Sequence, residues 1–165
     1  MAALTANILT NHFPDQELAE LQVGAGARIY AGSLLGYNAS GYVGPYGASG
    51  YTLAFAGVAY DAANNTSGSN GDTAILDSSG NRTKEGKVKA YIAADFEFTV
   101  TATLAIINQG FPLTAVSDNP LDMVLGASAG ANLNAADVGR IIYVTSAASP
   151  YKARVRLRGG AFIKA

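Results

Sequence analysis

The chain has 165 residues, a net charge of −1 and only 14% charged residues. That length suits one compact domain with an arm, and the near-neutral balance excludes nucleic-acid or membrane binding driven by whole-molecule charge. With no Cys and a single His, disulfides and thiolate metal sites are excluded and structural zinc is not expected.

No run approaches the roughly 18 apolar residues of a membrane-spanning helix. Met1 to Phe13 lacks a basic stretch followed by an apolar one, so no signal peptide is expected. Hydrophobic residues make up 49% of the chain, but much of this is Ala, which implies a thin core for the length and stability drawn in part from a partner. The charged fraction lies well below the roughly 25% usual in soluble domains, which suits a surface that becomes covered.

Residues 1–27 carry Asp15, Glu17 and Glu20 and no Lys or Arg. Pro14 followed by the 15–21 segment, with early acidic residues and with Leu18 and Leu21 three apart, predicts a short helix on an N-terminal arm. The arm ends at Gly24 to Gly26, and residues 28–165 form a β-rich domain. Arg28 to Ala31 reads as a short strand. Over 36–50, glycines alternate with Tyr37, Tyr42 and Tyr46. These tyrosines either pack over the glycines or form a contact surface, since Tyr is enriched at interface cores.

Tyr51 to Asp61 is the next strand, followed by a polar loop to Asp72, a brief strand at 73–76 and a second polar loop to Gly86. From Asp95 to Ile106, Phe96, Phe98, Val100, Ala102, Leu104 and Ile106 alternate with polar residues, a half-buried strand with the Phe side inward. Asn134 to Val138 predicts one helical turn capped by Asn134. Arg140 to Thr145 is a strand, and Tyr151 to Arg158 alternates strictly between apolar and basic positions. Many short strands joined by Gly-rich turns predict an all-β fold, a small barrel or sandwich.

The only His, His12, lies in the arm, and arms do not hold groups to catalytic tolerance. No nucleophile elbow, phosphate loop or zinc-protease motif occurs. Asp95 and Glu97 share a strand face and could mimic a carboxylate pair, but read better as a solvated strand edge. The oxygen-rich stretch Asp61 to Asp72 lacks the spacing and closing Glu of a calcium loop. No cofactor or metal is expected.

Lys152, Arg154, Arg156 and Arg158 fall on one strand face about 6.6–6.8 Å apart per step. Such like charges require an acidic neighbour or water to screen them. Over residues 140–165 there are basic residues and no acidic ones, the reverse of the first 27. This separation suits protein contact, and its plain alternative is the solvated face of an edge strand. Aromatic residues are not interleaved on the basic face, against nucleic acid.

Four segments resemble one family in order. Arg28 to Pro45 (RIYAGSLLGYNASGYVGP) is similar to the early "Ala-Gly, apolar pair, spacer, Ala-Ser-Gly-Tyr" run of tailed-bacteriophage capsid cement (decoration) proteins. Phe55 to Asn65 (FAGVAYDAANN) resembles their "Phe-x-Gly-Val-Ala" strand and acidic turn. Gly86 to Val100, ending FEFTV, looks like their basic strand and Phe-Glu-Phe hairpin. Ala136 to Val144 (ADVGRIIYV) matches an "Ala-Asp-Val-Gly, apolar, Tyr-Val" segment. The acidic arm is longer than the family's, and the short basic C-terminus lacks a second Gly-Arg-Val repeat.

The resemblance implies a non-enzymatic virion protein on the outer surface of the capsid. Its partner would be the major capsid protein, and its oligomer a homotrimer or else a dimer. Candidate contact residues are Lys152, Arg154, Arg156 and Arg158, the acidic Asp15, Glu17 and Glu20, and Tyr37, Tyr42 and Tyr46. A tail-associated or receptor-binding virion module is the alternative. A glycan hydrolase using Asp95 and Glu97, and a carbohydrate-binding module, are further ones.

Overall fold

The structure is a computed structural model that describes residue 4 and residues 17–48, 50–71, 75–76, 82–84, 86–100, 112–121, 123–125, 134–135, 137–146, 148 and 150–157. These residues are all-β, with no helix among them. The strands in chain order are β1 (Glu17–Gln22), β2 (Arg28–Ile29), β3 (Leu34–Tyr37), β4 (Val43–Pro45), β5 (Ala54–Ala59), β6 (Ala63–Asn64), β7 (Ile75–Leu76), β8 (Arg82–Lys84) and β9 (Lys87–Ala93). They continue as β10 (Asp95–Val100), β11 (Pro112–Ala115), β12 (Met123–Leu125), β13 (Asp137–Ser146) and β14 (Tyr151–Leu157).

The strands build two lobes. The first is a five-stranded sheet in the order β1-β9-β5-β3-β4, with the small pairs β2-β6 and β7-β8 beside it. Its two edges meet at one point, where Val23 bridges to Val43 and the Gly24 amide donates to the Val43 carbonyl at 2.9 Å. The second lobe is a closed barrel, β10-β12-β11-β13-β14.

The inner side of the sheet buries Val23, Ile29, Leu35, Val43, Tyr51, Val88 and Ala90. Its other side contributes Leu34, Phe55, Val58 and Tyr91 to a second core shared with Phe96, Phe98, Leu113, Ile141 and Val155 of the barrel. The sheet is therefore covered on both faces, which is why β3 and β5 read as nearly continuous apolar runs of small and branched residues. Tyr91 meets Phe96 edge-on at 5.2 Å, and Phe96 stacks on Phe98 at 5.8 Å, so an aromatic chain crosses the junction. Backbone bonds from Leu34 to Asp118 and from Phe55 to Ala135, both 2.8 Å, fasten the lobes together.

The helix expected over 15–21 is corrected by strand β1, which pairs antiparallel with β9 from Glu17↔Ala93 to Gln22↔Lys87. A helix this short is marginal alone, whereas pairing gives the segment a full ladder and sets Ala19 and Leu21 opposite Ala90 and Val88. Asp15 lies outside the described residues. The helical turn expected at 134–138 is a single tight turn, closed by the Asp137 amide on the Asn134 carbonyl at 3.1 Å. Its cap is Asp137 rather than Asn134: the fully buried Asp137 carboxylate accepts the Asn134 amide at 2.6 Å and a short bond from the Thr114 hydroxyl, and β13 begins there.

The hairpin implied for 86–100 is also corrected. β9 and β10 do not pair; they lie in different lobes, and only Ala94 separates them. No Gly, Pro or Asn at the join supplies a reversal, and the chain passes from sheet to barrel without a hairpin.

The tyrosine–glycine alternation resolves into packing for part of the segment. Tyr51 lies inside the first lobe, where a Cβ at Gly44 would stand 2.7 Å from its ring and one at Gly24 2.1 Å from its hydroxyl. Tyr46 is 7% exposed and packs over Gly36.

Gly44→Ala is expected to lower unfolding stability by roughly 1–3 kcal/mol, the cost of overpacking a filled core, measured as a shift in the denaturant midpoint. An unchanged midpoint would mean that Tyr51 has room to move. Deleting residues 1–24 removes β1 and the fully buried Val23. The truncated chain is expected to lose its cooperative thermal transition or melt far lower, and a wild-type melting curve would show that β1 is dispensable.

Candidate functional site

The barrel's outer face is where the sequence placed its basic ladder. On β14, Ala153, Val155 and Leu157 point into the core and Lys152, Arg154 and Arg156 point out. The reading of β14 as an edge strand is corrected: it lies between β10 and β13. Register therefore sets three rows across the face: Arg140, Arg156 and Asp95; Tyr143, Arg154 and Glu97; Ser146, Lys152 and Thr99. An irregularity in β13 between Ile141 and Tyr143 carries Tyr143 into this register, and a second between Val144 and Ser146 does the same for Ser146. Arg158 lies outside the described residues.

The ladder is screened by carboxylates of β10. Asp95 is the centre, its side chain only 8% exposed. Arg156 donates Nε to Oδ1 at 2.9 Å and Nη2 to Oδ2 at 3.2 Å, and Arg154 donates Nη2 to Oδ2 at 2.9 Å. The reading of Asp95 as part of a solvated strand edge is thus corrected. Lys152 lies 3.6 Å from Glu97, a looser and more exposed pair. Arg154 also donates Nη1 to the Tyr143 hydroxyl at 3.3 Å and lies over its ring at 5.7 Å.

The Arg156 hydrogen bonds, then those of Arg154, hold the Asp95 carboxyl below the usual carboxylate range despite its burial. A carboxylate kept ionised by two guanidiniums is unsuited to be a general acid, one of the two carboxyl roles in glycan hydrolysis.

The remaining candidates are dispersed. Glu17 and Glu20 are exposed on β1, at the sheet's edge. Glu20 accepts Lys87 Nζ at 2.7 Å, and this contact lowers its pKa. Tyr37 and Tyr42 are half-buried, and Tyr46 belongs to the shared core. Glu17, Glu20 and the tyrosines lie in the first lobe, away from the barrel ladder.

In the polar loop after β5, Asp61 Oδ1 accepts the Lys89 amide at 2.8 Å and Asn70 Oδ1 the Ala25 amide at 2.7 Å. Fully buried Asn65 donates to the Val23, Gly24 and Ser69 carbonyls. Its polar groups brace the turn after β1. Among the described residues no group of three or more His, Asp and Glu is placed to hold a metal ion. A shallow pocket of about 300 Å³ between the β4 turn and the loop after β11 is lined by Tyr46, Val116 and Asp118 among others. Asp118, 2% exposed, accepts the Leu4 amide at 3.0 Å there, and burial raises its pKa.

Arg140, Tyr143 and the Asp95 clamp were missed from sequence. The signal for the clamp was present: acidic residues two apart at 95 and 97 complement basic ones two apart at 152–156. Comparison with family models, curated proteins and solved structures finds no match.

Asp95→Asn is expected to cost about 1–3 kcal/mol, since the arginines it abandons can turn to water. Replacing both Arg154 and Arg156 with Ala is expected to cost more, about 3–5 kcal/mol, because it strands a buried carboxylate. Asp95 has a folded-state pKa below its unfolded value of about 3.9. Its stabilisation is therefore full above that value and lost as pH falls through the folded pKa. Asp118, shifted upward, has the opposite sign: its contribution is full below the unfolded pKa and lost as pH rises through the raised one. Urea melts from pH 7 to 2 should show an acid limb that shrinks in Asp95→Asn, and an identical limb in both proteins would remove the clamp from the acid response.

Proposed function

We propose that this chain is a capsid decoration (cement) protein of a tailed bacteriophage. In this reading it binds the outer surface of the assembled major capsid protein lattice as a homotrimer, or else a dimer, and acts by binding rather than turnover. What supports the reading most is the conjunction of the four ordered sequence segments with a rigid β body bearing a fixed ionic face. The segments supply β2 to β4, β5 to β6, β9 to β10 and the start of β13, strands that build both lobes and their junction. The sparse charge and Ala-rich core suit a body whose surface is partly covered in use.

The physical effect is mass action. A protein that binds only the assembled lattice stabilises it by RT ln(1 + [L]/Kd), about 2.7 kcal/mol per site at a hundredfold excess over Kd. Repetition over many subunit junctions multiplies this modest term. Unassembled subunits, lacking the same neighbours, gain nothing.

Purified protein incubated with undecorated shells is expected to sediment with them and raise the temperature at which they release DNA. Protein that stays in the supernatant overturns the reading. Copies imaged only at the tail favour the tail-associated module instead.

A further inference from the structure

The geometry points to the outer face of β10, β14 and β13 as a docking surface for an extended acidic segment of a protein partner, with carboxylates four residues apart in that segment meeting the heads of Lys152 and Arg156. This deepens the lattice reading, on which it rests for the partner being a protein, by naming the face and the chemistry it meets.

Exposure and rigidity occur together on this face. The Arg156 side chain is 71% exposed although two of its nitrogens are fixed on Asp95. The Lys152 side chain is 45% exposed, and Tyr143 is 43% exposed beside Arg154. Guanidiniums already held in place lose little side-chain freedom on meeting a second anion, and a partly exposed Tyr among Arg residues is a composition enriched at protein interfaces.

The repeat selects the partner's form. Heads on one strand face recur every two residues, about 6.6–6.8 Å, and among polypeptide segments an extended one with acidic residues at alternate positions carries charges at the same step. β10 is the internal precedent: Asp95 and Glu97, two residues apart, stand opposite Arg156 and Arg154 in register. The chain's net charge of −1 supplies no long-range attraction for anions in general, so recognition rests on the local match of charges at this face.

The probe is fluorescein-labelled hexaglutamate, followed by anisotropy against wild-type protein from 20 to 300 mM salt, with oligothymidylate of equal charge in parallel. Expected are binding that weakens as salt rises, a loss of about two- to fivefold per charge removed in Lys152→Ser and Arg156→Ser, and weaker binding of oligothymidylate. Lys152→Ser leaves the Asp95 clamp intact, so its effect is separate from any loss of folding in Arg156→Ser.

No hexaglutamate binding at low salt, equal binding by Lys152→Ser, or tighter binding of oligothymidylate overturns the proposal. The same variants are then sedimented with undecorated shells. If Lys152→Ser and wild type bind shells equally, this face is wrong and the lattice reading stands. If wild type ignores shells yet binds hexaglutamate through these residues, the face stands and the lattice reading falls.

Discussion

The contact on which most else depends is the carboxylate of Asp95 held between Arg154 and Arg156. Asp95 is the first residue of β10, where the chain has just crossed from sheet to barrel through Ala94. A carboxylate this buried is costly unless its oxygens are well partnered, and three N–H donors at 2.9–3.2 Å meet that condition. The bonds tie β10 to β14 and so help close the barrel. They also fix the cationic heads of β14 in place. One interaction therefore both secures the second lobe and turns a flexible basic strip into a surface of defined geometry.

Around that contact, packing fixes how the lobes sit. The sheet is buried on both sides, and the aromatic chain from Tyr91 to Phe98 crosses the junction without a break. Rigid attachment follows from shared core rather than from a linker. Small residues are the means: Gly24, Gly36 and Gly44 leave the space that Tyr51 and Tyr46 fill, so a chain poor in large aliphatic residues still reaches a close-packed interior.

What was legible in the sequence follows from what period-two patterning encodes. In β10 and β14 one side is core and the other polar, so alternation revealed each strand and the face of Lys152, Arg154 and Arg156. Alternation says nothing about which strand lies alongside, and Asp95 and Arg156 are 61 residues apart, so the clamp was hidden although both halves were visible. β5 lacks alternation because both its faces are covered. β1 misled because Leu18 and Leu21 fit a helical spacing as well as a strand, and its partner supplies Lys87, 67 residues from Glu20. Tyr46 could be taken for surface or core until the glycines beneath it had positions. In each case the missing information was a long-range pairing that no local pattern contains.

The ionic face also bears on what kind of binding this body is suited to. Exposed charges are screened within about a Debye length, roughly 8 Å at physiological salt, so each added pair contributes little affinity. Fixed charges at a constant step contribute something different. A partner segment displaced by one residue turns its carboxylates to the other side and meets none of the heads, so the face discriminates by register more than by strength. Selectivity of that form suits a setting in which the same neighbour recurs many times: weak contacts then sum only when every copy is seated alike, and a misplaced copy is not retained.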